Sequence, residues 1–249
     1  MGKIIIANWK MNPQNEKNAV KLACQSDFLN VVIAPPFPFF GAVKKVLKKA
    51  KLGAQDMFWE EQGAYTGEIS PRMLKKLGAH YVIIGHSERR ALGETDTIVN
   101  KKVVAALKTG LKVILCIGEP RQVRNKGLTA VKNFISKQFK ADLKGLNLKS
   151  YNSKLTIAYE PVWAVSLGRY DKHGKSDTPE NAGYMIQWIK KFLNSRFLIR
   201  NSMVLYGGSV NLKNAKSFLG LEGIDGALVG GASLRINEFK KIIRISQSN

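Results

Sequence analysis

Cysteine is scarce in this 249-residue chain: Cys24 and Cys116 are the only two. They stand far apart and outside any CxxC, which excludes a disulfide framework and a four-ligand structural zinc site built on cysteine. No apolar run approaches 18 residues, so nothing is expected to span a membrane, and no membrane partner is expected. The opening MGKIIIANWK has no charged leader followed by a long apolar stretch and a cleavage site. Myristoylation is not expected either, because Ile6 stands where it requires Ser or Thr. A reduced cytoplasm is the expected location. Acidic residues are also in short supply: 18 Asp and Glu face 40 Lys and Arg, a net charge of +22. A field of that sign attracts anions, from small phosphates to nucleic acid or acidic membrane.

What is present is ordinary for a globular chain, with 45% hydrophobic and 9% aromatic residues. The lysines are dispersed. VKKVLKKAK, MLKKLG and NKKVVAALK set them between apolar residues at helical spacing, which reads as solvated outer helix faces. There is no compact basic block and no interleaved aromatic run for stacking bases, so dedicated nucleic-acid binding is not expected.

Eight short apolar runs, rich in β-branched residues, recur at 3–8, 30–35, 51–56, 80–85, 111–118, 154–160, 202–207 and 225–230. Most are near-continuous, as strands covered on both faces must be. Amphipathic helical stretches lie between them. The stretch 95–108 places Ile98, Lys102, Ala105 and Ala106 among polar neighbours, and 128–143 carries Val131, Phe134, Ile135, Phe139 and Leu143. TPENAGYMIQWIKKFL opens with Thr178 as N-cap and Pro179 at the first helical position. Eight strand–helix units in roughly 250 residues predict an α/β fold, a closed (β/α)8 barrel, with an open doubly wound sheet as the alternative. No linker or composition shift divides the chain, so residues 1–249 are expected to form a single domain.

In such a barrel the chemistry sits where strands end. Asn8 and Lys10, His86 to Arg89, Glu119, Glu160, Ser209, and Gly230 with Gly231 all fall there. Trp9 and Met11, beside Lys10, are poor choices for facing solvent. His86 precedes a helix start, whose partial positive charge opposes a second proton on the imidazole. Glu160 ends a strand, and Pro161 and Trp163 would surround it with apolar surface, an environment that raises a carboxylate towards the range useful for proton transfer. LYGGSV and ALVGGASL follow the last two strands and offer backbone N–H groups to an anion. A salt-bridged Glu160, a structural His86 and a surface Lys10 are the alternatives to these roles.

NWKMN, GAYTGEIS, GHSERR, CIGE, YEPVWA, YGGSV and DGALVGGASL, in that order, resemble the triosephosphate isomerase family over residues 3 to about 245. The resemblance implies a single-domain TIM barrel that interconverts dihydroxyacetone phosphate and D-glyceraldehyde 3-phosphate through an enediolate, in glycolysis and gluconeogenesis. It implies Glu160 as base, His86 as neutral electrophile, Lys10 stabilising negative charge and Asn8 hydrogen-bonding substrate. Ser166, Ser209, Gly230 and Gly231 would bind the phosphate. Glu88 would be the buried acid holding Lys10, Ser87 would pack beside the histidine, and Tyr206 would latch a closing lid. No metal or organic cofactor is implied. QGAYTGEISP, with Tyr65, Thr66 and Glu68, resembles the loop by which members of the family form a homodimer.

The chain departs from the family in the lid stretch YEPVWAVSLGRYDKHGKSDTP. Ser166 and Leu167 replace a glycine and a threonine, and residues 170–177 lengthen the far hinge, which predicts slower or less complete closure unless the extra residues bulge outward. The first helix is expected to be short and to start after Pro13. Two other readings stay open at this point. One is a charged body that binds nucleic acid. The other is a different phosphate-binding barrel enzyme, although that would not need Asn8, Lys10, His86 and Glu160 together.

Overall fold

The structure, a computed structural model, describes residues 2–165, 177–199 and 201–248. Eight parallel strands close into a barrel in sequence order: β1 (Ile4–Asn8), β2 (Val31–Ala34), β3 (Lys51–Ala54), β4 (Tyr81–Ile84), β5 (Lys112–Ile117), β6 (Leu155–Tyr159), β7 (Met203–Tyr206) and β8 (Gly226–Val229). The open sheet is thereby excluded. The seam joins first strand to last, with Ile4 opposite Gly226 and Ala7 opposite Val229. Glycine is required there, because a methyl group on Gly226 would sit 1.8 Å from the Ile4 carbonyl oxygen.

Alternation along the strands splits the apolar residues into two cores. Ile4, Ile6, Val32, Ile83, Ile114 and Leu205 fill the barrel. Ile5, Ala7, Val31, Val113, Ile157 and Val204 face outward against the helices. This is why the strands read as unbroken hydrophobic runs.

The helices are α1 (Glu16–Gln25), α2 (Phe40–Val46), α3 (Pro71–Lys76), α4 (Ser87–Ala91), α5 (Asp96–Lys108), α6 (Arg121–Arg124), α7 (Leu128–Asp142), α8 (Pro179–Phe197), α9 (Ala215–Leu219) and α10 (Ile236–Gln247). Their starts follow local chemistry: Asn15, Ser70, Thr95 and Thr178 each accept a backbone N–H three residues on. The first helix does begin after Pro13, and α7 buries Val131, Ile135 and Phe139 as its spacing predicts.

One lysine stretch is not a solvated face. In α5 the buried stripe is Val99, Lys102, Val103, Ala106 and Leu107, with Ile98 and Ala105 at its edge. Lys102 is only 3% exposed. Its ammonium is held 2.6 Å from Asp56 and hydrogen-bonds to the buried Glu94. The reason lies in partners distant in sequence, since a buried charge persists only when paired.

Candidate active site

The C-terminal ends of the strands open on one cleft of about 480 Å³. Asn8, Lys10, His86, Glu88, Glu160, Ser209, Gly230 and Gly231 all line it, so residues spread over the whole chain meet in one place. Ser166 and Leu167 lie outside the described residues, as does residues 170–176 of the long hinge.

Lys10 is fixed from both sides. Its backbone is in the left-handed region at φ 53°, unusual for a residue with a side chain. The Asn8 side chain accepts the Lys10 N–H at 3.0 Å, and Gln55 donates to the Lys10 carbonyl at 2.8 Å. The ammonium then reaches Glu88 Oε1 at 2.6 Å. Glu88 is thus ion-paired with Lys10, and its side chain is 39% exposed rather than buried, because it faces the open cleft. Trp9 is fully buried, whereas Met11 is 82% exposed, against the expectation that it would avoid solvent.

His86 caps the N-terminus of α4, and its Nδ1 accepts the Glu88 N–H at 3.2 Å. That bond needs the Nδ1 lone pair, so the ring is neutral and carries its proton on Nε2. Nε2 in turn lies 3.2 Å from Glu160 Oε1. Glu160 is 2% exposed, and its other oxygen accepts the Ser87 N–H at 3.1 Å. Oε1 is buried, has no aligned hydrogen bond among the described residues, and so keeps lone pairs with which to accept a proton.

Two residues around Glu160 escaped the sequence reading. Cys116, on β5 opposite Ala158, points into the barrel beside the carboxylate. Burial first, and then the Glu160 charge, push its thiol well above its ordinary range. The only sequence signal was its inward register. Gly207 is the second: an added methyl group would lie 2.6 Å from Glu160 Cγ and 3.2 Å from the Tyr159 carbonyl oxygen. Trp163 does not simply shield Glu160. Its indole N–H donates to Glu119 Oε1 at 2.8 Å, and Tyr159 donates to the same fully buried carboxylate. Burial raises the Glu119 pKa, and the Trp163 bond partly offsets this.

At the glycine loops, the Ser209 N–H donates to the Ala164 carbonyl at 3.1 Å, so in this state it is not turned to the cleft. Gly231 opens a short 3-10 turn (Gly231–Leu234), and Ser233 closes it back onto the Gly230 carbonyl. The Tyr206 ring stacks on Phe218, and its hydroxyl faces Asp177 at the far end of the lid stretch. Burial first, then the Asp177 charge, raise the Tyr206 pKa. Tyr65, Thr66 and Glu68 are exposed on a loop closed at its base by the Phe58 N–H to the Ile69 carbonyl, 2.9 Å.

A neutral imidazole, a buried carboxylate and an ion-paired ammonium around one cleft define an acid–base enzyme for a small anion. The sequence model of the family described as triosephosphate isomerase matches residues 3–246. Triosephosphate isomerase of Dictyoglomus thermophilum is 44% identical over 251 residues, 97% of this chain and 98% of that protein. That of Thermoanaerobacter sp. (strain X514) is 44% identical over 255 residues, 96% and 98% of the two chains. That of Finegoldia magna is 41% identical over 251 residues, 96% and 97%. The chain belongs to the triosephosphate isomerase family, for whose barrel architecture the family is itself the standing example.

Proposed function

We propose that this site interconverts dihydroxyacetone phosphate and D-glyceraldehyde 3-phosphate through an enediolate, as a step of glycolysis and gluconeogenesis. The observation that carries this reading is the 3.2 Å approach of the neutral His86 Nε2 to Glu160 Oε1. Glu160 removes a proton from the carbon beside the carbonyl and returns it one carbon along. The Nε2 proton of His86 hydrogen-bonds to the carbonyl oxygen as negative charge develops there. Lys10 stabilises that charge, and Asn8 both contacts substrate and holds the Lys10 backbone. Proton return makes a metal or organic cofactor unnecessary.

The phosphate lies against the backbone at Ser209, Gly230 and Gly231, with Ser166 as a further donor from the lid. Taking the Ser209 N–H means exchanging its bond to Ala164, which couples phosphate capture to the root of the lid. Tyr206 steadies the lid's far end through Asp177. Residues 1–249 act as one catalytic domain in the cytoplasm. Among the described residues no helix is long and apolar enough to cross a membrane. Two copies form the active unit, with Tyr65, Thr66 and Glu68 docking on the partner. The exposure of Met11 (82%) and of Leu92 (80%) supports this, because both are large apolar side chains that a partner would cover.

Steady-state conversion of the two triose phosphates by the purified protein, repeated across a range of ionic strength, tests the reading. Fast turnover is expected, with kcat/KM falling as salt rises while kcat holds, because +22 steers a phosphate dianion. Absence of turnover would sink the assignment, and a flat salt profile would remove the steering. Gly207→Ala gives a sharper check on geometry. Displacing Glu160 by about 1 Å is expected to lower kcat on the order of 10²-fold. An unchanged kcat in a folded variant would show that the base tolerates the shift.

A further inference from the structure

We infer that the N-terminal end of the barrel, opposite the cleft, docks on an anionic phospholipid surface. Four connections meet on one side of that end: those running from α1 to β2, from α2 to β3, from α3 to β4 and from α5 to β5. Residues 26–30, 44–51, 75–80 and 108–112 carry nine lysines, all exposed, and one carboxylate, Asp27.

The patch is continuous. The Asp27 carboxylate ties the first connection to the second by accepting the N–H groups of Lys48, Lys49 and Ala50 at 3.0, 2.8 and 2.7 Å. Burial opposes ionisation of Asp27, but these bonds outweigh it and hold its pKa low, so its charge is spent on the backbone. Lys75 Nζ reaches the Gly110 carbonyl at 3.1 Å, joining the third connection to the fourth. The field is felt locally. After burial, Lys51, Lys75 and Lys44 together lower the His80 pKa, against a raising bond to Gly78.

Helix dipoles explain part of this charge, since lysine is favoured in a last turn. They account for Lys44, Lys45, Lys75, Lys76 and Lys108. They do not account for Lys48 and Lys49 in a loop, or for Lys51 and Lys112 at the first positions of strands. Nor do they explain two leucines in the same loops, Leu29 at 66% and Leu77 at 49% exposed. Lysines around protruding aliphatic side chains suit a bilayer interface, where ammonium groups meet anionic headgroups and leucines enter the acyl boundary. Nucleic acid fits less well. The four connections hold no arginine for bidentate phosphate contact, and Tyr81 beside them is half-buried under Lys112, whose Nζ lies 5.4 Å from the ring. Docking at this end leaves the cleft facing away from the lipid and free to turn over.

The test is co-sedimentation of the full chain with phosphatidylglycerol–phosphatidylcholine vesicles, against phosphatidylcholine alone. Binding to the anionic vesicles only is expected. Combined Lys45→Glu, Lys51→Glu, Lys76→Glu and Lys108→Glu should weaken it by about tenfold or more while leaving kcat unchanged. The same number of reversals elsewhere, Lys17→Glu, Lys126→Glu, Lys137→Glu and Lys213→Glu, should weaken it much less. Leu29→Ser with Leu77→Ser should weaken binding at constant charge. No binding by the unaltered protein, equal loss in both sets of reversals, or indifference to the leucines overturns the proposal. Tighter retention of duplex DNA than of vesicles, through the same lysines at the same salt, also overturns it and assigns the face to nucleic acid.

Discussion

Glu160→Gln is expected to lower kcat by about 10²–10⁴-fold, the range that a positioned general base contributes, with little change in KM and only a modest fall in unfolding midpoint. The amide is close to isosteric, so Gly207 and the neighbouring backbone still accommodate it. It has no basic oxygen for a carbon-bound proton, and its NH2 would face either the Ser87 N–H or the His86 Nε2 proton, both donors. Steady-state kinetics alongside a thermal melt separate these effects. A variant that keeps most of its kcat would move the base to another residue. A variant that fails to fold would instead mark Glu160 as structural.

The largest effect on stability is expected from Arg90→Met. Arg90 donates to the Gly85 carbonyl at 2.9 Å, to the fully buried Asp142 at 2.7 Å, and to Asp96. Burial pushes the Asp142 carboxyl up to about 8, with Arg90 pulling it down and Asp96 adding to the rise. A carboxyl raised in the folded state stabilises while it holds its proton. That contribution is lost as pH rises from the unfolded value near 4 to about 8. Removing Arg90 removes the pull, so the folded pKa climbs further and the loss continues beyond pH 8. Urea unfolding should show Arg90→Met weaker by about 1–3 kcal/mol at neutral pH, where the protonated Asp142 and the Gly85 carbonyl lose their donor, with the deficit widening above about pH 8 as an unpaired carboxylate is forced to ionise. A deficit that stays constant or shrinks at alkaline pH would refute the coupling to Asp142. Because Arg90 also braces the carbonyl preceding His86, some loss of kcat should accompany it.

The strands were legible because each is buried on both faces, and a run such as LKVILCIG can hardly be anything else once bounded by Gly and Lys. The structure trims most ends by a residue or two; 111–118 becomes Lys112–Ile117, while Asn8 still ends the first strand and Lys51 still starts the third. Closure of the barrel was inferred from count and length, not from any residue. The site residues were legible for a different reason: the barrel fixes that strand ends meet, so Asn8, His86 and Glu160 converge whatever the helices do. What the sequence hid was pairing. Lys102 lies in a lysine-rich helix and nothing local marks it as the one that meets Glu94 and Asp56. Trp163 read as apolar cover until Glu119 appeared beneath its N–H. The basic end was invisible because its lysines are scattered over three segments of the chain and gather only when the barrel closes.

That closure has a consequence for how the protein comes into being. β1 is the first strand to leave the ribosome and β8 the last, yet they are neighbours, and the Lys3 N–H even reaches the Ser246 carbonyl at 3.2 Å. The seam cannot form until almost the whole chain has been synthesised. Until then β1 and β7 are bare edges, each able to pair with another nascent chain. The tight approach at Gly226 therefore waits on nearly the whole chain, besides being a fixed feature of the finished barrel.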